Sequence, residues 1–99
     1  MLLCNLQDRW LRKEGEEKQL PGLNFTNRQM FWISNARPDC AKLSDERLKE
    51  WLQTYGHTPS KYRIIGKLQN NYQFSKDFGC KIGTKMNPKK KCTVWKNLK

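Results

Sequence analysis

The chain has 99 residues, with 20 Lys and Arg against 9 Asp and Glu, a formal charge of +11 and 36% hydrophobic residues. No run approaches the roughly 18–20 apolar residues of a membrane span, and the opening MLLCNLQDRW lacks the basic region and apolar stretch of a signal peptide. Four Trp, four Phe and three Tyr are too much aromatic mass for a solvating tail, so a core with little margin is expected.

Residues 2–14 predict a helix. Leu2, Leu3, Leu6 and Trp10 recur at helical spacing among Arg9, Arg12, Lys13 and Glu14, and Gly15 suits its stop. Leu20-Pro21-Gly22-Leu23 is a turn-forming connector. Thr26 and Gln29 have capping-box spacing and open a second helix. Its Met30, Phe31, Trp32 and Ile33 are apolar on every side, which predicts burial all round, and Pro38 should end or kink it. Ser44, followed by Asp45 and Glu46, starts a third helix by capping and by charge at the positive end of the dipole. Leu48, Trp51, Leu52 and Tyr55 form its apolar face, and Gly56 its stop. Residues 57–60 are a loop. Tyr62-Arg63-Ile64-Ile65-Gly66 is short and β-branched, an extended segment or a buried turn. Asn70 is expected to cap a short fourth helix with Phe74 and Phe78 on one face. Beyond Gly79 the periodicity fades through Cys80, Gly83, Met86-Asn87-Pro88, the run Lys89–Lys91, Cys92 and Trp95. The expected class is mainly α: about four short helices with an irregular tail tethered through Cys80 and Cys92.

The charge is lopsided. Residues 1–50 hold nine basic and eight acidic side chains, whereas residues 51–99 hold eleven basic and one acidic, Asp77. A polyanion partner, heparin-like or nucleic acid, would use Lys81, Lys85, Lys89, Lys90, Lys91, Lys96 and Lys99. The plainer alternative is solubility, or an acidic surface outside the chain.

Cys4, Cys40, Cys80 and Cys92 show no C-x-x-C spacing, and there is one histidine, so no structural zinc site is expected. Four cysteines allow two disulfides in three connectivities. Asn24-Phe25-Thr26 is an N-glycosylation sequon. Both features lean extracellular while no secretory signal is present, so the chain reads as the tail of a longer protein. There is no H-E-x-x-H, no nucleophile elbow and no phosphate-cradling glycine loop. A Cys-His nucleophile from His57 with Cys40 or Cys80 is disfavoured, because structural cysteines are far commoner. His57 is either a solvated loop residue or, with Arg63, part of a positive hydrogen-bonding site for a carbonyl oxygen that gains charge. Arg63 is otherwise a salt-bridge or surface charge.

The ordered series Gly15-Glu16-Glu17-Lys18, Leu20-Pro21-Gly22-Leu23, Thr26-Asn27, His57-x-Pro59, Tyr62-Arg63-Ile64-Ile65-Gly66, Leu68-x-Asn70, Phe74-Ser75, Phe78-x-Cys80, Met86-Asn87-Pro88 and Lys91-Cys92-x-x-Trp95 closely resembles the C-terminal end of the neprilysin-type zinc metalloendopeptidases. That family includes the endothelin-converting enzymes. The resemblance runs from about residue 9 to Trp95 and makes residues 1–99 a partial segment of a catalytic domain. It implies a mostly helical, thermolysin-like plan and peptide substrates cut on the amino side of hydrophobic residues. In the family, zinc is held by the two histidines of H-E-x-x-H and a later glutamate, and the motif's own glutamate is the general base. Those residues lie upstream of the matched segment, so the isolated chain is expected to bind no catalytic zinc and to be inactive.

The same resemblance places His57 where the family stabilises the oxyanion, and Arg63 where it binds a substrate backbone carbonyl. It places Cys40, Cys80 and Cys92 at disulfide positions whose partners lie upstream; Cys4 has no counterpart. The implied partners are peptide substrates and the upstream part of the catalytic domain, not nucleic acid. Membrane attachment would run through an anchor outside this chain, and the location would be extracellular. Three features depart from the family: Arg37-Pro38-Asp39 interrupts an expected helix, Lys96–Lys99 continue past Trp95, and Met1 falls just after the third zinc ligand. A truncated or partial product is the expectation.

Overall fold

The computed structural model describes residues 2–92, with side chains from Leu6 onward. The Cys4 side chain and the segment holding Trp95, Lys96 and Lys99 lie outside the described residues. Five α-helices appear in chain order: α1 (Leu2–Glu14), α2 (Asn27–Ala36), α3 (Asp45–Thr54), α4 (Ser60–Gln69) and α5 (Tyr72–Asp77). A 3₁₀ turn, Arg37–Asp39, follows α2. Among the described residues the one strand-like feature is an isolated bridge between Thr84 and Asn87, so the mainly α class holds.

Local chemistry explains most helix ends. Gly15, at φ 86°, closes α1 and donates its N–H to the Leu11 carbonyl at 2.9 Å. Thr26 and Gln29 form the expected box: the Thr26 N–H reaches Gln29 Oε1 at 3.0 Å, and the Gln29 N–H reaches Thr26 Oγ1 at 3.2 Å. Pro38 stops α2 at Ala36 by entering the 3₁₀ turn, which settles the Arg37-Pro38-Asp39 interruption. Ser44 caps α3 through the Arg47 N–H. α3 ends on the extended backbone of Tyr55, one residue before the expected Gly56.

Trp32, Leu68 and Phe74 form the buried core, with Phe31, Ile64, Phe78, Cys80 and Met86 packed against it. The Trp32 and Phe74 rings meet edge to face at 5.7 Å. Trp32 is 5% exposed, and its indole N–H donates to Asp77 Oδ2 at 2.7 Å. Gln29 Nε2 donates to the Asp77 carbonyl and Gln73 Nε2 to its carboxylate. The single acid of the second half thus locks α5 onto α2. Beside this lock, Arg28 of α2 pairs with Asp8 of α1 at 2.8 Å and Glu16 at 2.7 Å. Those bonds, Glu16 first, hold its guanidinium above the ordinary arginine pKa.

Three expectations are corrected. The second helix is not buried all round: Trp32 is its buried residue, and Ile33 is exposed. Residues 62–66 are neither strand nor turn but the middle of α4, which raises the helix count from four to five. β-branched preference is weak against packing, and Ile64 gains the Trp32 core by being helical. The cap of the last helix is Asn71, which accepts from the Gln73 and Phe74 N–H groups, whereas Asn70 closes α4.

Cys40, Cys80 and Cys92 do not pair with one another, and among the described residues the tail, 79–92, is held by hydrogen bonds. Buried Asn87 donates to the Cys80 carbonyl at 2.8 Å, and Ser75 Oγ donates to the Met86 carbonyl at 3.3 Å. Lys91 Nζ donates to the Gln69 carbonyl at 2.6 Å and lies 5.0 Å from the Tyr72 ring centre. The Cys92 N–H reaches Asn70 Oδ1 at 2.7 Å. The radius of gyration is 16.2 Å, above the about 13 Å of a compact domain of 100 residues.

Candidate functional site around the start of α4

α3 and α4 are joined by residues 55–59, and this short connection carries His57. Pro59 is buried and begins α4, its carbonyl accepting from the N–H groups of Tyr62 at 3.0 Å and Arg63 at 3.1 Å. A proline here supplies the fixed φ that starts a helix without a donor to satisfy. His57 therefore sits two residues before the N-cap of α4, and Arg63 one turn inside the helix.

His57 is exposed. Its carbonyl accepts from Trp51 Nε1 at 2.8 Å. Its imidazole packs on the Tyr55 ring at 5.3 Å, and Tyr55 packs in turn on Trp51 at 4.6 Å. The backbone and the ring each meet one neighbour, and the residue stays exposed. An exposed imidazole N–H can donate to a carbonyl oxygen.

Arg63 turns elsewhere. Its Nη1 meets Asp39 Oδ1 at 3.2 Å, so the 3₁₀ turn is braced against α4. The Asp39 side chain is 17% exposed and that of Arg63 44%. One arm of the guanidinium is thereby fixed, and the remaining donors can meet a second acceptor. The structure thus brings His57 and Arg63 to one end of α4, but each faces its own neighbour. Among the described residues no hydrogen bond links His57 to Cys40 or Cys80. The sequence reading missed Asp39 and Trp51. Asp39 lies 24 positions from Arg63, a separation no local pattern exposes. Trp51 belongs to the apolar face of α3, where its indole N–H had no evident use.

Asn24 is exposed, two residues before the α2 cap. Lys81, Lys85, Lys89 and Lys90 are exposed, whereas Lys91 is engaged internally. Among the described residues no group of three or more His, Cys, Asp or Glu side chains is placed to hold a metal ion, and no helix is long and apolar enough to cross a membrane.

Comparison with known proteins bears on this geometry. The family model described as Peptidase family M13 matches residues 6–94. Neprilysin-2 of Drosophila melanogaster is 47% identical over 87 residues, 88% of this chain and 11% of its own length. The endothelin-converting enzyme homolog of Locusta migratoria is 44% identical over 86 residues, 87% of this chain and 12% of its own length. Endothelin-converting enzyme 1 of Homo sapiens is 43% identical over 86 residues, again 87% of this chain and 11% of its own length. The chain spans between 11% and 12% of these curated relatives.

Proposed function

Because the chain belongs to peptidase family M13, we propose that residues 1–99 are a partial segment of a neprilysin-like zinc metalloendopeptidase domain, in which His57 stabilises the oxyanion and Arg63 binds a substrate backbone carbonyl. The observation that carries this is the match over residues 6–94, which spans both side chains. Their common position at the start of α4, each with its backbone fixed and donors open, supports it.

In this reading the zinc ligands belong to the part of the domain upstream of the matched segment. When bound by the rest of such a domain, the metal would supply an activated water and polarise the scissile carbonyl. This chain's contribution is hydrogen bonding. As the carbonyl carbon becomes tetrahedral its oxygen gains charge, and a His57 N–H pointed at that oxygen binds it more tightly than the starting carbonyl. Such a donor lowers the barrier because the interaction strengthens on the way up. Arg63 meets a carbonyl that does not change, so it contributes mainly to affinity. Substrates are peptides cut on the amino side of hydrophobic residues. Cys40, Cys80 and Cys92 pair with cysteines outside the chain, and the enzyme is extracellular, anchored or secreted. The 99 residues alone are inactive.

The test is a chimera in which human endothelin-converting enzyme 1 carries this chain in place of its own matching segment, assayed with a fluorogenic peptide. His57→Ala should lower kcat by about 10²–10³, and Arg63→Ala should chiefly raise KM. An unchanged kcat in His57→Ala removes the oxyanion role. Zinc-dependent, chelator-sensitive turnover by the 99-residue chain alone removes the claim of inactivity.

A further inference from the structure

The oxyanion role given to His57 requires an imidazole held still, yet His57 lies in a connection, 55–59, that is exposed except for Pro59. The order must come from its neighbours. Two groups at the end of α3 provide it, Trp51 from its last turn and Tyr55 from its C-cap. The Trp51 indole donates to the His57 carbonyl at 2.8 Å, which pins the backbone. The Tyr55 ring lies between the other two, 4.6 Å from Trp51 and 5.3 Å from His57, and limits where the imidazole can turn. The helix end makes this possible: the Tyr55 N–H still bonds the Trp51 carbonyl at 2.9 Å, so the two rings leave the backbone one turn apart and in contact. On the far side the buried Pro59 fixes the chain as it enters α4.

The geometry points to Trp51 as a positioning residue for His57: its indole N–H sets the place of the His57 backbone, and through it the aim of the imidazole. This rests on the oxyanion role proposed above. The distinctive element is the N–H rather than the ring, because phenylalanine keeps the contact with Tyr55 and loses only the donor. A displacement of about an ångström at a group that must meet a developing charge is enough to slow a reaction strongly.

The kinetic test uses the same chimera with Trp51→Phe, His57→Ala and the double variant. Trp51→Phe should lower kcat about tenfold, the size expected for one net hydrogen bond, with KM unchanged. The double variant should match His57→Ala alone, because a residue that acts only through His57 has nothing left to position. An unchanged kcat in Trp51→Phe, or losses that multiply in the double variant, overturns the assignment. A silent His57→Ala is a different failure: it removes the oxyanion role and leaves the anchoring to be judged separately.

That judgement comes from nuclear magnetic resonance of the 99-residue chain, where the one histidine makes the ring signals unambiguous. The His57 ring protons should be displaced by the Tyr55 ring in the parent and move toward free-histidine positions in Trp51→Phe. Free-histidine positions already in the parent, or no movement in the variant, overturn the anchoring itself.

Discussion

The six-residue α5 and the ten-residue α3 show how differently two helices of one chain can be held. α5 buries Phe74 and Ser75, is capped by two bonds to Asn71 and is locked to α2 through Asp77. α3 has no buried residue, and its Leu52 is 64% exposed. Length alone would rank them the other way, since an isolated helix gains from every added residue. Here packing decides. The connection that carries His57 leaves from the less packed of the two, so its order depends on a few named bonds rather than on a core.

The largest expected effect breaks the packed side. Trp32→Ala removes the central ring and its bond to Asp77 and should cost about 3–5 kcal/mol, read as loss of the cooperative urea transition. A cost below about 1 kcal/mol would erase the contrast between the two helices. Next is the cap of the short helix. Asn71→Ala should cost about 1 kcal/mol, seen as a lower midpoint in the same titration. If Ser44→Ala in α3 costs more, the dependence on caps is the reverse of what the packing implies. Leu52→Ala, by contrast, should stay within about 0.5 kcal/mol of the parent; a larger loss would mean that the α3 face is covered after all.

The smallest effect is a pH dependence confined to the start of α3. The Glu46 carboxyl is held below its ordinary value, first by its own backbone N–H and then by the Ser44 hydroxyl. A carboxylate with a depressed folded pKa adds stability above the unfolded value, here near 4.5. It loses that stability as pH falls through the lower folded value. Protection of the first-turn amides of α3, taken relative to unstructured chain at the same pH, should therefore fall below about pH 4.5, and Glu46→Gln should remove that dependence. A fall in protection that persists in Glu46→Gln would assign it to another group.

The family was legible because its signature is an ordered series of short pieces spread over most of the chain. The starts of α2 and α3 were legible because a cap and the N–H it accepts from lie three residues apart, as at Thr26 with Gln29 and Ser44 with Arg47. The middle of the chain was not. Tyr62–Gly66 looked extended on β-branched content, and the asparagine pair could be read one position early, because Asn70 and Asn71 both suit a cap and only the direction of the following helix chooses. The site was legible as two residues, His57 and Arg63, but not as an arrangement. Asp39 and Trp51 gain their roles only when the chain brings them against these two.

The sequence by itself therefore determined the family, the helical class and the helix starts written in adjacent residues, since capping and periodicity act over three or four positions. Tertiary structure alone decided that 60–69 is helical, that Trp32 and Phe74 share a core, and that the tail is tied by Asn87, Lys91 and Asn70. Those choices depend on contacts between residues seven to about forty-five positions apart, and hydrophobic contact and hydrogen bonding at such separations leave no periodic trace along the chain.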